Sequence, residues 1–292
     1  MRGRGGGRIA YVDGRYLPLD QAAVSIEDRG FQFADSVYEV WAVMGGRFAD
    51  AEGHFARLER SLGELSIPMP MGRSALRLVL SETVRKNRIA EGLAYLQVSR
   101  GRARRDHPFP NPAPKPTIVV VASRVDRTAQ EARMEQGVGV ITTPETRWAR
   151  CDIKTTGLLP NVLAKQAARE AGAVEAWFVD DLGLITEGGS SNAWIIDAEG
   201  TLRTRDIQAN ILRGITRASV LRLAAETGLR FVERAFSVEE AKAAQEAFIT
   251  GAGSLVTPVV KIDGVPLGDG RPGPVAKRLR QLYIEEARAQ AW

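Results

Sequence analysis

Lys154 stands in the stretch "CDIKTTGLLPNVLAKQ" between Ile153 and Thr155, beside an apolar run that reads as buried. An amine withdrawn from water has its charged form disfavoured, and the free base can then attack a carbonyl carbon. That is the chemistry of a Schiff-base lysine. The competing reading is a strand-edge lysine reaching solvent. Lys165, in the same stretch, falls among alanines of a helical pattern, where a solvated face is the default. "TEGGSSN", residues 186–192, puts Glu187 at a polar turn between apolar strands. A carboxylate there, with backbone and hydroxyl donors beside it, suits a ring nitrogen that must stay protonated to draw electrons. A plain hairpin turn would use the same residues. "RGITRAS", residues 213–219, offers Gly214 for close backbone approach, Thr216 as an N-cap and free N–H groups at a helix start. Those features cradle an anion, or simply cap an ordinary helix. Arg105 and His107 lie two apart in "RRDHPFP", where both can point to one side of an extended loop and hold a carboxylate. A solvated basic loop is the alternative.

The elements that must position these residues follow from period and punctuation. "RIAYVDGRYLP" reads as two strands about an Asp13-Gly14 turn, and "FADSVYEVWAVMGGRFA" as a hairpin with Gly45-Gly46 at its tip. "AEGHFARLERSLGELSI" repeats Phe55, Leu58, Leu62 and Leu65 at helical spacing, and "RSALRLVLSETVRKNRI" gives a second helix. "LAYLQVSRG" and "PTIVVVAS" are strands, joined by a loop whose five prolines exclude regular structure. "SRVDRTAQEARMEQG" reads as a link to a second unit. That unit opens with the strands "GVGVITTP" and "RCDIKTT", followed by a helix with Pro160 in its first turn and Gly172 past its end. Further strands are expected in "EAWFVDDLGLITEG", "NAWIIDAEGTLRT" and "AFITGAG". Helices are expected from near Thr216, at Ser237 with a Ser237–Glu240 capping box, and at the end of the chain.

Composition narrows the function classes. The chain has 292 residues, 44% of them hydrophobic, enough for a sizeable core. Its +5 net charge is scattered rather than gathered on one face, which argues against nucleic acid and suits a small anionic ligand. The single cysteine, Cys151, cannot form an intrachain disulfide, and a reducing cytoplasm fits. No apolar run reaches the length of a membrane span. The "MRGRGGGR" start lacks the apolar segment of a secretory signal and reads as a frayed terminus. No metal-ligand spacing is present.

A lysine for an aldehyde, a carboxylate for a pyridine nitrogen and a cradle for a phosphate together describe a pyridoxal-phosphate site. Here the wording of the chain resembles a known family, the fold-type IV pyridoxal-phosphate aminotransferases, and within it the D-amino-acid aminotransferases. The resemblance runs from about Tyr11 to Tyr283. It is carried by "EDRGFQFADSVYEV", "HFARLERS", "RRDHPFP", "DIKTTGLLPNVLAKQAAREAGAVEA", "TEGGSSN", "RGITR", "FITGAG" and "PVVKIDGVPLGDGRPGPV", in family order.

The resemblance implies an α+β fold of two α/β domains with the cofactor at their interface. A small N-terminal domain is expected over 1–124, a linker over 125–132 and a large domain carrying the lysine over 133–292. It also implies the site. Lys154 becomes the Schiff-base lysine, Glu187 the partner of the pyridine nitrogen and Arg57 the phosphate arginine. Gly214, Ile215 and Thr216 form the phosphate cradle, and Leu212 packs on the ring. Ser190 and Ser191 supply hydroxyls after the glutamate turn, and Gly251 and Ala252 line the phosphate. Tyr38, Arg105 and His107 form the trap for the substrate α-carboxylate, the last two reaching across a homodimer. The sequence departs at Gly251-Ala252-Gly253, which has no hydroxyl where the family carries one. The implied reaction passes the amino group of a D-amino acid to a 2-oxo acid such as 2-oxoglutarate or pyruvate, in a cytoplasmic enzyme. The alternatives on the same fold are a branched-chain L-amino-acid or (R)-amine aminotransferase, or an aminodeoxychorismate lyase. "RRDH" and "VYEV" favour the D-specific reading.

Overall fold

Alternation of buried and half-exposed residues along "EGLAYLQVS" builds the first sheet. Gly92, Ala94, Leu96 and Val98 point into the core and their neighbours point out, as a strand covered on one face requires. The computed structural model describes residues 7–208 and 211–290, so most of the "MRGRGGGR" start lies outside the described residues. Two compact units are present. One is built on the chain up to Val125 together with Ile153–Gly157, the other on Asp126–Asp152 and Leu158–Ala289.

The first unit contains β1 (Ile9–Val12), β2 (Arg15–Pro18), α1 (Arg29–Phe33), β3 (Ser36–Met44), β4 (Arg47–Phe48), α2 (Ala51–Glu64), α3 (Arg73–Lys86), β5 (Glu91–Ser99) and β6 (Thr117–Arg124). Its six strands are antiparallel in the order β2-β1-β6-β5-β3-β4. The β3–β4 hairpin turns at Gly45 and Gly46 with φ of 60° and 78°, where two successive glycines avoid the steric cost of left-handed backbone. The apolar stripe of α2, Phe55, Leu58 and Leu62, is fully buried with Leu76, Leu80 and Val84 of α3 and with Val37, Trp41 and Val43 of β3. Burying each such side chain stabilises the unit by about 1.5–3 kcal/mol.

The second unit contains α4 (Arg127–Gln136), β7 (Val138–Pro144), α5 (Leu159–Glu170), β8 (Glu175–Val179), β9 (Ile185–Gly188), β10 (Asn192–Ile196), β11 (Leu202–Thr204), α6 (Ile215–Glu226), β12 (Phe231–Glu233), α7 (Val238–Lys242), β13 (Glu246–Gly251), β14 (Leu255–Ile262), β15 (Val265–Pro266) and α8 (Pro274–Gln290). Its mixed sheet runs β12-β11-β10-β13-β14-β7-β8-β9, with β15 on β14. β7 and β8 are parallel, and α5 supplies the crossover that parallel neighbours need. β8, β9 and β10 are almost entirely buried rather than alternating, the pattern of strands covered on both faces, and they bury Glu175, Glu187 and Asn192 along with their apolar residues. The expected capping box is in place, Ser237 accepting from Glu240 N–H while the Glu240 side chain accepts from Ser237 N–H.

Three expectations change. The segment 125–132 is not an open linker. Most of it belongs to α4, whose N-cap Asp126 accepts from Ala129 N–H. "RCDIKTT" is not a strand but an irregular turn with one bridge, Thr155 to Val37. Residues 153–157 therefore belong to the first unit rather than to a domain over 133–292. The cause is local: Ile153 sinks into the first unit's core and β3 pairs with this turn. Among the described residues no helix is long and apolar enough to cross a membrane, and no group of three or more His, Cys, Asp or Glu could hold a metal ion.

Candidate active site

In the first unit, Lys154 is held by its backbone on both sides. Its carbonyl accepts from Tyr38 N–H at 2.9 Å and its N–H donates to Ser61 Oγ at 3.4 Å. The next residue but one is tied as well, Thr156 N–H donating to Ser36 O at 3.2 Å and the Thr156 and Ser36 hydroxyls meeting. With the main chain fixed, Nζ lies 4.2 Å from the centroid of the Tyr38 ring, which itself stacks on Tyr95 at 5.5 Å. Burial, with the Tyr38 phenol as a lesser cause, pushes the Tyr95 phenol up to about 12, so it stays protonated and donates to Gln97 Oε1 at 2.8 Å. Among the described residues no carboxylate pairs with Lys154. Lys165 differs: its Nζ donates to Val174 O at 2.7 Å and stands 3.2 Å from the buried Glu175. The expected solvated face for Lys165 is thus replaced by an anchoring ion pair. The two lysines are separated by what they touch, not by their spacing.

Arg57 projects from α2 onto a carboxylate of β3. Its Nε and Nη2 donate to the two oxygens of Glu39 at 2.7 and 2.9 Å, and His54 Nδ1, one turn earlier on the helix, is 2.8 Å from Glu39 Oε2. All three are buried. Burial would raise the Glu39 carboxyl, but the charge and hydrogen bonds of Arg57, helped by His54, bring it down to about 2. Burial lowers His54, and the contact with Glu39 offsets this only in part. The sequence pattern does not single out Glu39 or His54. The i, i+3 pair in "HFAR" is visible, but nothing local says that it faces the glutamate of "YEV".

Arg105 and His107 are both exposed, on the proline-rich loop between β5 and β6. The structure does bring them together, against one ring: the Phe33 centroid is 5.0 Å from the Arg105 guanidinium carbon and 5.6 Å from the His107 ring.

In the second unit, Glu187 on β9 is buried and ringed by donors. Arg147 Nη1 lies 2.5 Å from Oε1, Asn192 Nδ2 3.0 Å from Oε2, and Leu212 N–H 3.1 and 3.2 Å from the two oxygens. Arg147 also binds Glu145, through Nε at 2.9 Å and Nη2 at 2.5 Å, and its guanidinium covers the Phe178 ring at 4.5 Å. Burial would lower the Arg147 guanidinium, but the bond to Glu145 and the charge of Glu187 outweigh it and raise it above its ordinary value. It is a permanent cation against Glu187. Sequence reasoning misses Arg147 and Asn192. Asn192 lies within "TEGGSSN" and could have been flagged; Arg147, forty positions from its partner, carries no local signal. Burial pushes the nearby Cys151 thiol up to about 11, which leaves it protonated and a poor nucleophile.

The neighbouring candidates take different parts. Ser190 and Ser191 hydroxyls donate to Glu175 Oε2 at 2.7 and 3.1 Å, so they satisfy a buried carboxylate at the turn after Glu187. Gly214 is the N-cap of α6, with Ile215 and Thr216 its first two residues, so Thr216 is not the cap that its type suggested. A Cβ on Gly214 would come within 1.9 Å of Asn192 Oδ1, so only glycine lets the helix start this close to the Glu187 cluster. Leu212 contributes its backbone to that cluster, its carbonyl accepting from Asn192 Nδ2 at 3.1 Å. Gly251 ends β13 beside Ser190, whose carbonyl is 3.2 Å from where a Gly251 Cβ would stand, and Ala252 follows in a turn in which Ser254 Oγ donates to Gly251 O at 3.5 Å.

Comparison with known proteins agrees with this chemistry. The D-alanine aminotransferase of Bacillus licheniformis is 40% identical over 92% of this chain and 93% of its own. That of Staphylococcus aureus (strain N315) is 37% identical over 94% of this chain and 97% of its own. Among solved structures, the T.th. branched-chain amino acid aminotransferase with pyridoxamine 5'-phosphate superposes with a TM-score of 0.88 at 26% identity, covering 97% of this chain and 95% of that one. Residues 36–262, a span that holds every candidate above, match the family described as amino-transferase class IV, and the chain belongs to that family of pyridoxal-phosphate-dependent transaminases.

Proposed function

We propose that this chain is a D-amino-acid aminotransferase that moves an amino group from a D-amino acid to a 2-oxo acid such as 2-oxoglutarate or pyruvate in two half-reactions. The observation that carries the site is the contrast between its two lysines: Lys165 is spent on Glu175, while Lys154 has its backbone pinned and its amine lying on an aromatic face. The residues fit pyridoxal phosphate. Lys154 is the amine for its aldehyde, Glu187 is a buried carboxylate with a fixed cation behind it, and the start of α6 carries a glycine where any Cβ would clash. When bound, the cofactor supplies the electron sink and carries the amino group between substrates. Lys154 would move the proton at the substrate Cα, as base in one half-reaction and as acid in the reverse. Glu187 would hold the ring nitrogen. Arg57 and the first N–H groups of α6, at Ile215 and Thr216, would hold the phosphate beside Gly251 and Ala252, with Leu212 at the ring. Ser190 and Ser191 would act through Glu175, keeping the turn after Glu187 in place.

The D-specific assignment rests on the relatives at 37–40% identity and on Arg105 and His107, two donors gathered on one ring. With Tyr38 they would hold the α-carboxylate. Both are exposed on the single chain, as are the apolar Ile26 and Phe31 of the first unit at 78% and 74%. This supports a homodimer in which the loop serves the partner's site. A cytoplasmic location accords with one cysteine and no possible intrachain disulfide. The test is optical. The purified yellow protein should lose its colour on adding D-alanine and keep it with L-leucine; bleaching by L-leucine alone would replace the D-specific reading by the branched-chain one.

A further inference from the structure

Arg105 and His107 sit on a loop without helix or strand, yet a substrate trap must hold its donors in one geometry. What orders this loop lies beneath it. Arg29, in the first turn of α1, and Arg100, at the end of β5, are both buried and share one carboxylate. Arg29 Nε and Arg100 Nε each lie 2.7 Å from Asp35 Oδ2, and Arg100 Nη2 lies 2.9 Å from Oδ1. Two buried guanidiniums against one carboxylate leave an excess positive charge, which would be costly unless other dipoles met it. The remaining donors go to main-chain carbonyls. Arg100 reaches Leu65 O at 2.7 Å and Ser66 O at 3.2 Å. Arg29 reaches Asp106 O through Nη1 at 2.5 Å and His107 O through Nη2 at 3.2 Å.

Those last two carbonyls belong to the residues that follow Arg105 and include His107 itself. Arg29 also lies over the Phe33 ring at 4.8 Å, the ring that Arg105 and His107 contact. One buried guanidinium therefore grips the backbone of the loop tip and shares an aromatic support with both exposed side chains. We propose that Arg29 is a positioning residue for substrate: by holding the Asp106 and His107 carbonyls it aims Arg105 and His107 outward and sets the affinity for the substrate α-carboxylate. This deepens the proposed D-amino-acid reading and rests on it. A lysine could keep the pairing with Asp35 but, as a point donor, could not span both carbonyls.

The test compares Arg29→Lys with Arg105→Ala in the holoenzyme, using D-alanine and 2-oxoglutarate. Losing charge-assisted bonds to two carbonyls should raise the KM for D-alanine about tenfold in Arg29→Lys while kcat stays within about twofold. Pyridoxal phosphate should be retained as in wild type. Trypsin should cut faster after Arg102, Arg104 and Arg105 in the folded variant, because the loop is no longer tied down. Adding Arg29→Lys to Arg105→Ala should raise the KM by less than it does alone, because only His107 is left to misplace. An unchanged KM and cleavage rate in Arg29→Lys, with a raised KM in Arg105→Ala, would overturn the role of Arg29 and leave the trap intact. An unchanged KM in Arg105→Ala would overturn the trap and this inference with it. If Arg29→Lys does not fold, Phe33→Leu, which leaves the ion pairs alone, should give the same split. Equal losses in kcat, KM and cofactor retention there would mark general damage and refute the proposal.

Discussion

A lysine becomes a reagent when its surroundings neither pair it nor let it wander. Lys154 meets both conditions through neighbours on β3 and α2, not through its own stretch of chain. Replacing it with alanine should leave the fold in place and abolish borohydride-reducible attachment of the cofactor. Peptide mapping that finds the label on Lys165 instead would reverse the assignment. The buried trio of Glu39, His54 and Arg57 predicts a pH dependence. Against its own burial, the Arg57 guanidinium with help from His54 holds Glu39 well below the ordinary 4.5, so its contribution is complete above about pH 4.5 and is lost as pH falls below that. His54 is held below 6.5 in the fold, so the unfolded chain takes up its proton first and stability falls as pH drops below 6.5. Glu145 and Asp263, also lowered, act in the same sense as Glu39. Urea unfolding should therefore show stability declining in two stages, below pH 6.5 and below pH 4.5. Glu39→Gln should flatten the second stage, and a variant with undiminished acid sensitivity would count against this account.

The turn after β13 and the start of α6 are short elements with opposite demands. Gly214 cannot be enlarged because Asn192 occupies the space, and a Cβ on Gly251 would crowd the Ser190 carbonyl and the Ser254 hydroxyl at 3.2 Å, so Ala252 is the position in the turn after β13 where a hydroxyl can be added. Ala252 is half-buried rather than packed, so a threonine there can be accommodated. If this turn faces the phosphate, Ala252→Thr adds one hydroxyl donor and should tighten pyridoxamine 5'-phosphate about two- to tenfold, the worth of one neutral hydrogen bond. An unchanged dissociation constant by calorimetry would mean that backbone N–H groups or water already serve that position.

The proposed homodimer makes a sharper demand than either unit. If Arg105 and His107 complete the partner's site, an inactive variant and a weakly binding one can complement each other at low D-alanine. Mixing Lys154→Ala with Arg105→Ala and reassembling at equal amounts should make about half of the dimers mixed, each with one intact site, and restore about one quarter of wild-type activity. No recovery, with mixed dimers demonstrated by mass spectrometry, would place both residues of a site on the same chain.

Much of the fold is legible in the amino-acid sequence. The stripes of α2 and α3, the period-two face of β5, the capping box at Ser237 and the punctuation by Pro160 and Gly172 are all local, because an element's own pattern records which of its faces is buried. The resemblance likewise points to Lys154, Glu187 and Arg57 as the reactive types. The partners are not readable. Arg147 follows β7 and Glu187 lies on β9, and they meet only because β8 pairs with both strands; no window of sequence contains that adjacency. "RCDIKTT" alternates like a strand, but its neighbours offer one bridge rather than a ladder, so the turn around Lys154 was decided by what β3 could accept. Ser190 and Ser191 look like ligand hydroxyls until the buried Glu175 appears beneath them. The kinds of residue needed for the chemistry are written along the chain. Which of them are left free for it depends on how the long-range strand pairings distribute every buried charge among its neighbours.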